Sequence, residues 1–305
     1  MTIRFDGKVA VVTGAGGGLG RSYALALASR GAKVVVNDLG GKLDGSGGSD
    51  RPARTVSEEI RSMGGEASPN FEDISSPEGA LRIAAEALDR FGTIDILINN
   101  AGILRDKTFA KMDPADFRKV VEVHLFGTVN MTRAVYPAMQ RKGYGRIVFV
   151  TSSAGLFGNF GQTNYGAAKL GIVGFMNALK LEAEKFNILA NAVAPIAATR
   201  MGEQAFPPDI LPLLDPGQVV PLVLYLASEP CPFTGMILTA AGGRFSAVRI
   251  VESEGVRFPP GKNVTPEDIE EKIETILEMK DPKPYGSAME EVMDLLTALQ
   301  KPFPE

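Results

Sequence analysis

Cysteine and histidine are nearly absent. Cys231, set between Pro230 and Pro232, and His124 are the only examples in 305 residues. One cysteine leaves no internal disulfide to form and fits a reducing, intracellular compartment. One histidine beside one cysteine supplies too few nitrogen and sulfur ligands for a zinc site, so no metal is expected. Long apolar runs are missing as well, and stretches such as 219–227 are too short to span a bilayer. The N-terminus brings Arg4, Asp6 and Lys8 where a signal peptide would be apolar. Basic charge is not in surplus either: 32 Lys and Arg against 36 Asp and Glu leave −4. That balance, with signs interleaved, excludes a nucleic-acid footprint or an anionic-membrane patch. The expectation is a soluble, cytoplasmic protein acting on a small molecule.

What is present begins with a βαβ opening. Residues 8–13 are short, β-branched and continuously apolar, as in a strand buried on both faces. They run into Gly14-Ala15-Gly16-Gly17-Gly18-Leu19-Gly20, then a helical pattern to Arg30 with Gly31 as its stop. Gly14, Gly16, Gly18 and Gly20 let the backbone approach a pyrophosphate, and the helix start at Leu19 offers it free N–H groups. A second strand, 33–37, ends in Asp38, whose carboxylate either accepts from both ribose hydroxyls of NAD or caps the following loop. In the first role it repels a 2′-phosphate, so NAD rather than NADP is the expected cofactor.

Residues 39–51 are rich in glycine and serine and read as a surface loop. A helix over 53–63 leads to a third strand ending near 71–74. There Asp73 either bonds the adenine amino group, with Ile74 offering its N–H, or caps the next helix. Helix 77–91 and strand 94–98 follow, and the strand ends in Asn99-Asn100-Ala101-Gly102, where ligands of open α/β sheets bind. A long helical pattern, 114–142, contains His124. Strand 146–150 delivers Ser152, and strand 188–193 leads to Pro195 and a loop through Thr199, Arg200 and Met201. Residues 206–216 suit a substrate-covering flap; helix 217–227 and strand 236–240 close a main domain of residues 1–243. The tail, 244–305, reads as a small helical appendage packed on that domain, with one helix starting at Thr265-Pro266 and a second marked by Met289, Val292, Leu296 and Leu299.

The chemistry concentrates in Tyr165 and Lys169, four apart in a helix-forming run and so on one face. Ser152 stands thirteen residues before Tyr165. An ammonium beside a phenol favours phenolate, which brings a group with an ordinary pKa of about 10 toward neutrality. A surface Tyr–Lys pair is the plain alternative.

Residues 13–20, Asn99-Asn100-Ala101-Gly102, Ser152 and Tyr165-Gly166-Ala167-Ala168-Lys169 together resemble the short-chain dehydrogenases/reductases. The resemblance implies an α/β Rossmann-like, doubly wound parallel sheet of seven strands in the order 3-2-1-4-5-6-7. It also implies hydride transfer between a secondary alcohol or ketone and NAD. Tyr165 would be the acid–base, Ser152 the oxygen-orienting group and Lys169 a ligand of the nicotinamide ribose, with Pro195 and Thr199 on the nicotinamide side. Residues 36–41, 100–106, 123–125 and 158–162 look more narrowly like the (3R)-hydroxyacyl-CoA dehydrogenase unit of peroxisomal multifunctional enzymes, a likeness that extends through the tail. Hydroxysteroids and 3-oxoacyl thioesters are the alternative substrates, and a non-catalytic nucleotide-sensing protein on the same fold is the third reading. Pro302-Phe303-Pro304-Glu305 carries no peroxisomal address, which suggests a free-standing bacterial relative. Two departures stand out. The family commonly has asparagine at His124, where it holds a relay water, so His124 either takes over that water or is simply packed. Ile196 replaces a common glycine. The family also implies a homodimer through helices 114–142 and 164–186. Lys107, Arg200, Arg249 and Lys262 are candidates to meet a CoA, or plain surface charges.

Overall fold

The computed structural model describes residues 2–199 and 206–301. The expectations for Arg200, Met201 and residues 302–305 lie outside them. The chain divides into two compact units, one up to Ala247 and one from Val248 onward.

In the first unit, apolar runs and helical repeats alternate: β1 (Val9–Thr13), α1 (Gly18–Ser29), β2 (Lys33–Asn37), α2 (Arg51–Ser62), β3 (Ala67–Asn70), α3 (Pro77–Phe91) and β4 (Ile96–Asn99). A long helical stretch follows, made of α4 (Pro114–Val121), a π-helical turn over Glu122–Phe126 and α5 (Gly127–Lys142). After it come β5 (Gly145–Val150), α6 (Ser153–Phe157), α7 (Thr163–Ala183), β6 (Ile188–Ile196), α8 (Val220–Ala227), β7 (Ile237–Ala241) and β8 (Arg244–Val248). All of β1 and β5 is buried, because helices cover both faces of the sheet. Helices α1, α2 and α8 pack together, as do α3 with α5 and α4 and α5 with α7.

The sheet runs β3-β2-β1-β4-β5-β6-β7-β8, and the pairs from β3 to β7 are parallel. The expected seven-strand order is present with one strand added. Gly242 and Gly243 both have positive φ, 51° and 79°, the conformation of a two-residue hairpin turn. That turn sends residues 244–248 back along β7 at the sheet edge. Strand order reverses between β1 and β4, which opens a crevice beyond their C-terminal ends.

Two strand ends differ from expectation, and both differences bear on the crevice. β3 stops at Asn70, three residues short of Asp73. Asn37 Nδ2 donates to Asn70 Oδ1 and to the Glu72 carbonyl, both at 3.0 Å, and turns the chain out of the sheet. β6 instead runs on through Pro195 and Ile196, which pair with Ala240 and Ala241. The backbone at 196 is thus part of the strand pairing, Ile196 also lines the cleft, and the loop begins at Ala197.

In the second unit, α9 (Pro266–Leu277) opens with a capping box of Thr265 and Asp268, and α10 (Ala288–Gln300) is capped by Ser287. No residue of either helix is buried. Lys262 is tied to Asp268 at 2.6 Å. Among the described residues, no helix is long and apolar enough to cross a membrane.

Candidate active site

The floor of the crevice is built around Thr13, the last residue of β1. Its hydroxyl accepts from the N–H of Asn100 at 3.0 Å and of Ala101 at 3.1 Å, and donates to the Ile98 carbonyl at 3.3 Å. Asn100 Nδ2 returns the contact to the carbonyls of Thr13 and Gly14, at 3.0 and 3.1 Å. Asn100 is therefore spent on joining the two strand-end turns. Gly14 and Gly20 are glycine because their neighbours leave no room. A Cβ on Gly14 would meet Ala101 Cα at 2.7 Å, and one on Gly20 the Gly14 carbonyl oxygen at 2.1 Å.

The rest of the turn suits a dinucleotide. A Cβ at Gly17 would enter open space, and at Gly18, with φ +52°, it would meet only Thr199, 3.5 Å away. No side chain caps the start of α1, so its free N–H groups and positive dipole end are available to phosphate oxygens. Asp38 is held at both oxygens: Gly16 N–H donates to Oδ2 at 2.8 Å and Gly40 N–H to Oδ1 at 2.7 Å. Each oxygen keeps a lone pair for a ribose hydroxyl. Asp73 accepts at Oδ1 from the N–H and hydroxyl of Ser75, both at 2.8 Å, while Ser76 caps α3. Ile74 contributes its carbonyl to Asn130 at 3.1 Å. Asp73 and Ile74 both line the cleft.

Ser152 follows β5 in extended conformation and caps α6, its hydroxyl accepting from Ala154 N–H at 3.2 Å. Tyr165 and Lys169 lie one turn apart on α7, with Nζ 5.6 Å from the phenol ring centroid. Lys169 is buried; its Nζ donates to the Val150 carbonyl at 2.6 Å, and its own carbonyl accepts from Thr151 at 2.7 Å. These bonds fasten α7 to the end of β5.

His124 lies in the π-helical turn, fully buried, with its ring edge-to-face on Tyr165. Its Nε2 stands 3.0 Å from the Ile103 N–H and 2.8 Å from the Ile103 carbonyl, and the tautomer decides which of them it serves. Nδ1 has no partner. Gly102 makes room for the ring: a Cβ there would sit 2.1 Å from His124 Cε1.

Burial dominates the electrostatics. It pushes the Tyr165 phenol up to about 12, opposed by hydrogen bonding to Ser152 and reinforced by the charge of Asp106. It pushes Lys169 down to about 7. His124 falls to about 3, through burial first and the Lys169 ammonium second, with its Ile103 bond opposing. Desolvation thus governs the phenol, and Lys169, itself driven toward neutrality by burial, does not supply the expected lowering in the chain by itself.

One cleft of about 620 Å³ gathers nearly all of these groups: Gly14, Gly18, Leu19, Asp38, Asp73, Ile74, Asn100 to Gly102, His124, Ser152, Tyr165, Lys169, Pro195 and Thr199. Gly16 and Gly20 lie behind its wall, facing Asp38 and Gly14. Sequence reasoning missed Lys119 and Val123 on the α4 side, Phe157 on α6, and most of all residues 39–45. The glycine-rich composition of that last segment reads as surface loop, yet Leu39, Gly41, Lys42, Leu43 and Gly45 form part of the wall. From the other end, Phe206 lines the cleft. Among the described residues, no group of three or more His, Cys, Asp and Glu could hold a metal.

Comparison with known proteins agrees with this architecture. The family model for short chain dehydrogenases matches residues 8–208. The peroxisomal hydratase-dehydrogenase-epimerase of Saccharomyces cerevisiae is 47% identical over 98% of this chain, which spans 34% of that protein. The structure of full-length peroxisomal multifunctional enzyme type 2 from Drosophila melanogaster aligns over 98% of this chain and 50% of its own, at 36% identity and a TM-score of 0.83. A 7α-hydroxysteroid dehydrogenase, complexed with NADH and 7-oxo glycochenodeoxycholic acid, covers 79% of this chain and 95% of its own, at 32% identity and a TM-score of 0.71. The chain thus spans half or less of the two peroxisomal proteins. With that match laid over a parallel sheet whose switch-point cleft holds a glycine turn, an acid and a Ser–Tyr–Lys cluster, the chain belongs to the short-chain dehydrogenase family, oxidoreductases acting on CH–OH groups.

Proposed function

We propose that the cleft oxidises a (3R)-3-hydroxyacyl thioester reversibly, with NAD as the hydride acceptor. The observation that carries this reading is that Ser152, Tyr165, Lys169 and Asp38 line one continuous cleft. When bound, the dinucleotide supplies the hydride acceptor and, in its oxidised form, a positive charge.

Residues of the chain do the rest. Asp38 receives the ribose hydroxyls of the adenosine half and turns away a 2′-phosphate, which supports NAD over NADP. Gly18, Leu19 and the start of α1 take the pyrophosphate. Thr199, Pro195 and Lys169 face the nicotinamide side. Ser152 Oγ donates to the substrate oxygen and holds it against Tyr165 Oη. Tyr165 takes the hydroxyl proton during oxidation and returns it during reduction. Its phenol stands at about 12 in the chain by itself, with Lys169 already beside it, so the positive charge of the oxidised cofactor is what would bring it toward range. His124, neutral at any working pH, positions Ile103 and the Tyr165 ring. Phe157 and Phe206 give the cleft apolar surface suited to an acyl chain.

The acyl-thioester choice draws on the names of the peroxisomal relatives. A hydroxysteroid is the second reading, favoured by the bile-acid-bound structural neighbour. Exposed Phe126, Leu170 and Leu181 on the long helices support a homodimer, and the single cysteine suits a reducing cytoplasm. Tyr165→Phe tests the mechanism: turnover should fall by about a hundredfold or more while NADH still binds. Undiminished turnover would sink it. The cofactor and substrate readings are tested by initial rates with NAD and NADP across (3R)- and (3S)-hydroxyacyl-CoAs and hydroxysteroids.

A further inference from the structure

The segment after β2 is not the free surface loop its composition suggests. It leaves Asp38, lines one wall of the cleft and returns to α2 through a closed set of bonds. Ser49 N–H donates to the Leu39 carbonyl at 3.0 Å, Lys42 N–H to Ser46 at 2.8 Å and Gly45 N–H to Lys42 at 3.0 Å. Where its two ends cross, only glycine fits: Gly40 has φ +71°, and a Cβ there would lie 1.9 Å from the Ser49 carbonyl oxygen.

The far side of this strap is pinned to the segment after β4. Leu104 N–H donates to the Leu43 carbonyl at 2.9 Å, and Gly45 faces Ile103, with a Cβ at 3.0 Å from Ile103 Cγ2. Arg105 makes the strongest tie. Its Nε donates to the Asp44 carbonyl at 2.7 Å while Nη1 donates to Asp116 Oδ1, on α4, at 2.8 Å. The backbone beneath Arg105 is itself fixed, because the buried Asn164 donates Nδ2 to the Arg105 carbonyl at 2.9 Å. The planar guanidinium thus stands on a rigid base and spans two acceptors, which a lysine ammonium cannot do in that geometry.

We propose that residues 39–49 are a strap that encloses the adenosine half of the dinucleotide beside Asp38, and that Arg105 is the positioning residue that latches it. This rests on the reading of the cleft as an NAD site. Three observations carry it: five strap residues line the cleft, the strap's second residue, Gly40, holds Asp38 Oδ1, and one guanidinium joins it to α4. A latched strap slows release of the dinucleotide without touching the reacting carbon.

The test is NADH binding to the full chain, followed by nicotinamide fluorescence, with the dissociation rate measured by stopped flow. Arg105→Met should raise the NADH Kd about tenfold, the worth of one charge-assisted hydrogen bond, chiefly through faster dissociation. Asp116→Asn keeps the Nε bond to Asp44 and should give a smaller rise. Gly45→Val strains a position at φ +81° and crowds Ile103, so it should loosen the strap independently of Arg105. In each variant the KM for NAD should follow the Kd, while the KM of the alcohol substrate stays in place. A Kd within twofold of wild type in both Arg105→Met and Gly45→Val overturns the strap. Wild-type protein that binds NADPH more tightly than NADH overturns the NAD reading instead.

Discussion

The imidazole of His124 stands edge-on to the phenol of Tyr165, with 5.1 Å between ring centroids and 87° between planes. The same imidazole holds the Ile103 backbone through Nε2 and admits only glycine at 102. One buried, neutral side chain therefore sets the spacing between the turn after β4 and the tyrosine helix.

Burial of His124 has a pH signature. Its folded pKa, about 3, lies below the ordinary 6.5, so between these values the unfolded chain binds a proton the folded chain refuses. Its contribution to stability is lost as pH falls through that window, with a slope of up to about 1.4 kcal/mol per pH unit. Denaturant unfolding of wild type and His124→Asn at several pH values from 3 to 7 should show a shallower acid loss in the variant. Parallel curves would argue that the imidazole is hydrated.

Lys169 titrates by the same logic in another range. A folded pKa of about 7 against an ordinary 10.5 makes the unfolded chain the better proton binder in between, so stability rises with pH across that interval. Tyr165, raised from 10 to about 12, acts oppositely, but only above pH 10. From pH 7 to 10 the wild-type rise should therefore be steeper than that of Lys169→Met, as read by urea midpoints at constant slope.

Gly102→Ala should damage both stability and turnover. The added methyl would lie 2.1 Å from the His124 ring, which is walled in by Tyr165 and Ile103. Overpacking of this kind costs about 1–3 kcal/mol. If His124→Ala, which opens the space, restores the midpoint of the double variant, the clash is the cause.

Thr13→Val tests the tie between the two cofactor-side turns. The change keeps the shape of the side chain but leaves the part-buried N–H groups of Asn100 and Ala101 without their acceptor. A loss of about 1–3 kcal/mol in unfolding free energy is expected. NADH affinity should fall with it, since the glycine turn starts at the next residue.

Much of this architecture was readable because its causes are local. Continuous β-branched runs, positive-φ glycines and capping pairs such as Thr265 with Asp268 act over a few residues, so β2 and α3 could be bounded from the chain alone. The same locality hid other features. β3 ends at Asn70 because Asn37, on a different strand, takes hold of residue 72, and β8 joins the sheet through a turn that looked like the start of a tail. The strap over residues 39–49 looked dispensable, since its partners, Arg105 and Asp116, are some sixty residues or more away.

By itself the sequence determined the kind of chemistry: a glycine turn after a buried strand, an acid eighteen residues past it, and a serine, tyrosine and lysine at helical and strand-end spacing. Only the tertiary structure decided how those groups are tuned. Desolvation depends on what the whole fold packs around a side chain, so the high phenol of Tyr165, the low ammonium of Lys169 and the neutral ring of His124 are properties of the enclosed cleft.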